Sequence, residues 1–270
     1  MRALGRDAAD ITRPAEVAAA LDAARPAAIV NAAAYTAVDR AESEPERAAA
    51  ANRDGARIVA EACAERRLPL IHLSTDYVFD GRKIGPYRED DPVAPLGVYG
   101  RSKAEGEAAV RAVGGCHVIL RTSWVYGPVG QNFVRTMLRL GRERPELRVV
   151  DDQSGSPTST ADLADAILVI ARRLAEGEGA GTGMFHFCGG GVTTWYRFAQ
   201  AIFGEAARYG YSPPRLTPIT TAGYPTAARR PANSALDCSR IARVYGIHPR
   251  PWREALGRCI DRIAASGDLA

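Results

Sequence analysis

The sequence predicts an α/β protein, a parallel sheet wound with helices on both faces. Short, mostly apolar runs at residues 27–31, 70–74 and 118–121 have the character of strands buried on both sides. Longer stretches with helical spacing separate them, and that alternation is what a parallel sheet requires. The chain has 270 residues, 46% hydrophobic and 24% charged, enough for one large core, or a core plus a smaller lobe, in a soluble protein.

Taken in order, Thr12, Pro14 and Glu16 make a helix start, and that helix runs to about Ala24. Ala27-Ala28-Ile29-Val30-Asn31, after Pro26, is the first buried strand, and the small residues Ala32, Ala33 and Ala34 allow close approach to its end. Helical spacing returns over 45–66, with Ala49, Asn52, Ala56 and Val59 on one side. Leu70-Ile71-His72-Leu73-Ser74 is the second strand, and a long Gly/Pro/Asp-rich loop follows over 80–97. A helix over 99–113, a strand over 118–121, a helix over 132–142 and a short strand over 148–150 complete the sheet domain, 1–150. Residues 151–270 form a smaller lobe that interleaves with it. There the pattern predicts helices over 161–174 and 195–207 and a strand over 184–187, with a Gly/Glu turn over 175–183. Residues 212–217 and 223–235 are Pro-rich and irregular, and short helices near 239–245 and 253–264 close the chain.

Composition excludes several classes. A net charge of +4 without a basic block gives no case for nucleic acid. The five cysteines are far apart and contain no Cys-x-x-Cys, as in reduced thiols of a cytoplasmic protein. The four histidines lack ligand spacing, so no metal site is expected from the residues; His72 and His186 lie in strand-like runs and suit core packing. No apolar run is long enough to span a membrane, and the N-terminus lacks a signal-peptide pattern.

Ligands of open parallel sheets bind beyond the carboxyl ends of the strands. Three such ends carry polar or aromatic residues: Asn31 to Thr36, Thr75-Asp76-Tyr77, and Thr122-Ser123-Trp124. Tyr99 and Lys103 follow on one helix face, where an ammonium beside the phenol would favour phenolate below its free pKa of about 10. A Tyr-x-x-x-Lys pair also fits a solvated helix start. Yet the chain keeps only two lysines, Lys83 and Lys103, among 35 basic residues, which argues for a compact charge at that place. Thr75 would hold a reacting oxygen. Trp124 fits either a stacked sugar ring or core packing.

Val30-Asn31-Ala32-Ala33-Ala34-Tyr35-Thr36-Ala37-Val38-Asp39, Ser74-Thr75-Asp76-Tyr77-Val78-Phe79-Asp80-Gly81, Tyr99-Gly100-Arg101-Ser102-Lys103 and Arg121-Thr122-Ser123-Trp124-Val125-Tyr126-Gly127 resemble the dTDP-4-dehydrorhamnose reductases, extended short-chain dehydrogenase/reductases. Arg230-Pro231-Ala232-Asn233-Ser234 and Leu236-Asp237-Cys238 carry the likeness to the C-terminal part. The resemblance implies a Rossmann-like NAD(P)-binding domain and a substrate lobe. It implies reduction of the C4 ketone of a dTDP-sugar, dTDP-4-dehydro-L-rhamnose, with NADPH or NADH. Tyr99 would donate the proton, Lys103 would hold the nicotinamide ribose and lower the Tyr99 pKa, and Thr75 would bind the ketone oxygen. Val38, Asp76 and Trp124 would line the sugar site, Asp10 and Ile11 would meet the adenine, and Ala34, Tyr35 and Thr36 would form the cofactor-side loop. A homodimer, bridged in some relatives by Mg2+, is among its implications.

One stretch departs from the pattern. The family opens with a strand and a Gly-rich turn that cradles pyrophosphate at a helix N-terminus. Here the first glycine is the isolated Gly5, so about 30 residues, one strand and its helix, are missing relative to the pattern. The expectation is a downstream-called start or a truncated gene, with unpaired strand edges where the central first strand would lie.

Overall fold

The computed structural model describes residues 1–177 and 181–269. Its first part runs α1 (Pro14–Ala24), β1 (Ile29–Asn31), α2 (Val38–Ala41), α3 (Pro45–Ala49), a π-turn (Ala50–Asp54), α4 (Gly55–Glu65), β2 (Leu70–Thr75), α5 (Val98–Val113) and β3 (His117–Thr122). It continues with β4 (Val125–Tyr126), α6 (Phe133–Glu143), β5 (Glu146–Val150), β6 (Ser154–Gly155), β7 (Thr158–Ser159) and α7 (Thr160–Ala175). The last part holds β8 (Gly183–His186), β9 (Thr193–Thr194), α8 (Trp195–Ala207), β10 (Arg215–Ile219), α9 (Ser239–Tyr245) and α10 (Trp252–Ala265). The Gly/Glu turn expected over 175–183 includes residues 178–180, which lie outside the described residues.

β1, β2, β3 and β8 form one parallel sheet in that order. The period of two along each strand divides its side chains between two cores. Leu70 and Ile119 face α1, α4 and α5, packing with Val17, Leu21, Val59 and Val110. Ile71, Val118 and Leu120 face the other way, onto Leu163 and Ile170 of α7 and Ile241 of α9. The sheet is therefore wound on both faces, as the mostly apolar runs imply. The outer edge of β1 pairs with no strand among the described residues.

A second core joins Val134, Met137 and Leu138 of α6 and Leu147 and Val149 of β5 with Phe198, Ile202 and Phe203 of α8 and Leu256 and Ile260 of α10. Residues 133–150, grouped with the sheet domain by the boundary at 150, thus pack in the second lobe. Conversely α7, β8 and α9 serve the sheet. The expected irregular stretch over 212–217 also needs correction: β10 pairs in parallel with β5 across Arg215–Ile219. Its Pro218 lies in a two-stranded ribbon, where the missing N–H leaves no central ladder broken. Among the described residues no helix is long and apolar enough to cross a membrane.

α4 and α5 meet backbone to backbone. At Gly106 an added Cβ would sit 2.1 Å from the Asn52 carbonyl oxygen, in the π-turn. Gly106→Ala must therefore separate the two helices, and it should cost about 1–3 kcal/mol of stability by overpacking. Urea unfolding of the variant beside the parent measures it; an unchanged midpoint would show that this approach does not constrain the fold.

Candidate active site

The three strand ends expected to converge are neighbours in the sheet. Asn31 of β1 pairs with His72 of β2, and Thr75, the last residue of β2, pairs with Thr122 of β3. Thr75 caps the short 3-10 turn Asp76–Val78, its Oγ1 accepting from Tyr77 N at 3.2 Å. α5 begins against that turn. Gly100 allows it, because a Cβ there would lie 2.1 Å from the Tyr77 carbonyl oxygen. The rings of Tyr77 and Tyr99 consequently meet edge-on at 5.7 Å.

α5 has no capping side chain of its own. Glu42 supplies one from the end of α2, with Oε1 accepting from Val98 N at 2.8 Å, where a carboxylate also favours the positive end of the helix dipole. A second tie comes from Asn52, which is 1% exposed. Its Oδ1 accepts from Tyr35 N at 2.8 Å, and its Nδ2 donates to Tyr35 O at 3.1 Å and to Ser102 Oγ at 2.9 Å. The loop holding Ala34, Tyr35, Thr36 and Val38 is thus fastened to the helix turn that carries Tyr99 and Lys103. The residue pattern puts Asn52 on a helix face without assigning it to the site. Its signal was a polar residue inside the apolar stripe of Ala49, Ala56 and Val59, and the π-turn places it at the site.

Lys103 is 2% exposed and donates from Nζ to Leu73 O at 2.6 Å, its one hydrogen-bond partner among the described residues. Burial lowers its pKa to about 8, against the pull of Glu107. For Tyr99, the expectation of a pKa below the free value is reversed. Burial pushes the phenol up to about 12, the nearby Thr75 hydroxyl opposes that rise, and the Asp76 charge adds to it. Desolvation outweighs any help from the ammonium, so Tyr99 holds its proton at neutral pH.

Asp76 is 2% exposed. Its Oδ1 accepts from Thr75 Oγ1 at 3.0 Å, and its Oδ2 is buried without a hydrogen-bond partner among the described residues. Burial pushes its pKa up to about 7, with the Ser234 and Thr75 hydroxyls working against the rise. Trp124, after the end of β3, has a left-handed backbone conformation, φ 46°. Its Nε1 donates to Ser234 Oγ at 3.2 Å and its carbonyl oxygen accepts from Thr158 N at 3.1 Å. The segment leading to Ser234 closes over the rim. Arg230 grips Asp39 with two nitrogens at 2.8 and 3.1 Å, and Ala228 N donates to the same carboxylate at 3.1 Å.

Asp10 and Ile11 sit elsewhere. Asp10 Oδ1 accepts from Thr12 N and Oγ1 at 2.9 and 2.8 Å and its Oδ2 from Arg6 Nε at 2.9 Å; the Thr12 bonds, then Arg6, bring its pKa down to about 2. Ile11 packs on Gly55 at the start of α4. Among the described residues no hydrogen bond joins either to Tyr99, Thr75 or Lys103. Ser123 is structural, donating to Ser156 O at 2.8 Å. Among the described residues no group of three or more His, Cys, Asp or Glu assembles a metal site.

A nicotinamide nucleotide suits the observed half of this rim. Lys103 has donors to spare beyond Leu73 O, and the small, exposed Ala32 and Ala33 leave the end of β1 uncovered. Residues 1–265 match the family model described as the RmlD substrate binding domain. A dTDP-4-dehydrorhamnose reductase of Sinorhizobium fredii is 48% identical over 265 residues, 98% of this chain and 90% of that protein. A probable dTDP-4,6-dihydroxy-2-methyloxan-3-one 4-ketoreductase of Streptomyces antibioticus is 43% identical, over 98% of this chain and 87% of its own. The crystal structure of dTDP-4-dehydrorhamnose reductase from Bacillus anthracis in complex with NADP superposes with a TM-score of 0.87 at 38% identity, covering 96% of this chain and 89% of that one.

Asp76 gives a stability test. Its pKa rises from 3.8 unfolded to about 7 folded. The native state therefore binds the extra proton in this window, and the group's contribution to stability falls as pH climbs through it. Asp76→Asn removes that slope. Relative to the parent, the variant should gain in urea midpoint between pH 4 and pH 8. A difference that stays flat with pH would mean Asp76 ionises normally.

Proposed function

We propose, since this chain belongs to the dTDP-4-dehydrorhamnose reductase family, that it reduces the C4 ketone of dTDP-4-dehydro-L-rhamnose to dTDP-L-rhamnose. The observation that carries the reading is the meeting of Tyr99, Thr75 and Lys103 on one rim of the sheet, beside Asp76 and Trp124. NADPH or NADH, when bound, supplies the hydride to C4.

Tyr99 serves as proton donor. Its raised pKa keeps it loaded, and as negative charge grows on the ketone oxygen the phenol delivers its proton there. Lys103, held by Leu73 O, sets a positive charge on the same helix face and stabilises the phenolate that remains. It also holds the nicotinamide ribose with its spare N–H groups. Thr75 Oγ1 orients the carbonyl oxygen during the transfer. The unpartnered Asp76 Oδ2 takes a sugar hydroxyl, which would repair an otherwise costly buried polar atom.

Val38 and Trp124 complete the sugar wall. Ala34, Tyr35 and Thr36 border the cofactor, while Asp10 and Ile11 are its adenine-side contacts. A homodimer belongs to the proposal as well.

The parent should consume reduced nicotinamide, followed by its ultraviolet absorbance, only when the 4-keto sugar nucleotide is present. Tyr99→Phe should cut kcat by about 100- to 10,000-fold, the range of a lost general acid. A parent that binds the reduced nucleotide, seen by its fluorescence, and still leaves it unoxidised with the 4-keto sugar nucleotide present sinks the reductase reading. A Tyr99→Phe variant with near-parental kcat sinks the proton-donor assignment alone.

A further inference from the structure

Trp195, the first residue of α8, lies far from the reacting groups in sequence, and no motif points to it. Its indole stacks on that of Trp124 with centroids 3.5 Å apart and planes 8° from parallel. Gly155 is a second close neighbour of the Trp124 ring, where an added Cβ would lie 2.4 Å from Cε2 and 2.6 Å from Nε1. The Trp124 backbone is also held left-handed, a strained conformation for a bulky residue that persists only where its surroundings over-determine it.

The clamp reaches the polar corner of the pocket. Trp124 Nε1 donates to Ser234 Oγ, and the Ser234 hydroxyl helps hold down the Asp76 pKa that burial raises. Behind Trp195, Phe133 packs at 4.6 Å and then Phe198 at 5.6 Å, so the stack is rooted in the second core. Thr194 caps α8, Oγ1 accepting from Arg197 N at 3.2 Å, which fixes where the helix starts and so where Trp195 projects.

We infer that Trp195 is a positioning residue for sugar recognition, setting the tilt of Trp124 through face-to-face stacking while Gly155 bounds the same ring from another segment. The inference rests on the reading of Trp124 as a wall of the sugar site. Its effect belongs to the sugar half of the ligand, and the nucleotide half should be indifferent to it.

Calorimetric binding of dTDP-L-rhamnose and of dTDP alone separates the two halves. Trp195→Ala should weaken dTDP-L-rhamnose about fivefold, the scale of one lost aromatic pair, and leave dTDP within about twofold. Trp195→Phe, which keeps a stacking face, should recover most of the loss. Gly155→Ala, which pushes on the same indole from a different segment, should show the same sugar-selective weakening and stands in if Trp195→Ala fails to fold. Equal weakening of both ligands, or none, overturns the inference. If Trp124→Ala itself spares dTDP-L-rhamnose binding, the sugar-wall reading fails. If Trp124→Ala weakens that binding while Trp195→Ala and Gly155→Ala do not, only the positioning role fails.

Discussion

Glu107 and Arg121 form a buried bidentate pair, with Nε to Oε1 at 2.8 Å and Nη2 to Oε2 at 2.7 Å. Ser74 Oγ donates to the same Oε1 at 2.6 Å, and Arg121 Nη1 meets His186 Nε2 at 3.4 Å. One carboxylate on α5 is thereby tied to β2 and β3 directly, and to β8 through the arginine. Apolar contact alone would let a helix slide along a sheet; a two-pronged ion pair has one geometry. Buried pairs contribute little net stability once desolvation is counted, so we read this one as a device for register. Glu107 lies one helical turn beyond Lys103, and Ser74 immediately precedes Thr75. The pair therefore sets where the lysine and tyrosine stand relative to the threonine. His186 extends the control: buried and held neutral, its Nδ1 meets Tyr87 O at 3.1 Å and anchors the long loop after β2.

That loop, expected to be functional or mobile, is pinned at its middle. Tyr87 stacks on Phe79 at 4.2 Å, and its backbone bonds to Ala235 O at 2.8 Å and from Asp237 N at 2.7 Å. The segment containing Arg230 and Ser234 thus runs between Tyr87 on one side and Asp39 on the other. On the proposed reading, the second lobe would wall the site through this segment and through the Trp195 stack. The interleaving of the lobes follows from the chain crossing from β3 to α6 and β5, then returning with α7 and β8.

Much of this was legible in the residues. The buried strands announced themselves through Leu70-Ile71 and Val118-Ile119-Leu120, because a strand covered on both faces has no polar side to interrupt it. Adjacent strand ends then followed from parallel connectivity, and with them the grouping of Asn31, Thr75 and Trp124. What escaped had physical reasons. β10 carries Pro218, which argues against a strand everywhere except in a marginal ribbon. Asn52 acts through a wide helical turn that has no sequence signature. The Tyr99 pKa was misjudged because a four-residue spacing reveals a neighbouring charge but not how deeply both groups are buried. Trp195 looks like any aromatic opening an amphipathic helix, and only the coordinates show it flat against Trp124.

The scarcity of lysine has an experimental consequence. Lys83 pairs with Asp91 near the surface, while Lys103 is enclosed under α5 with its ammonium on Leu73 O. Reductive methylation with carbon-13 formaldehyde would label these two side chains and the terminal amine, three signals in a protein of this size. An enclosed ammonium reacts slowly, and the other two amines react first. Lys103 would thus appear in the spectrum late and by itself, a single resonance reporting the charge one helical turn from Tyr99.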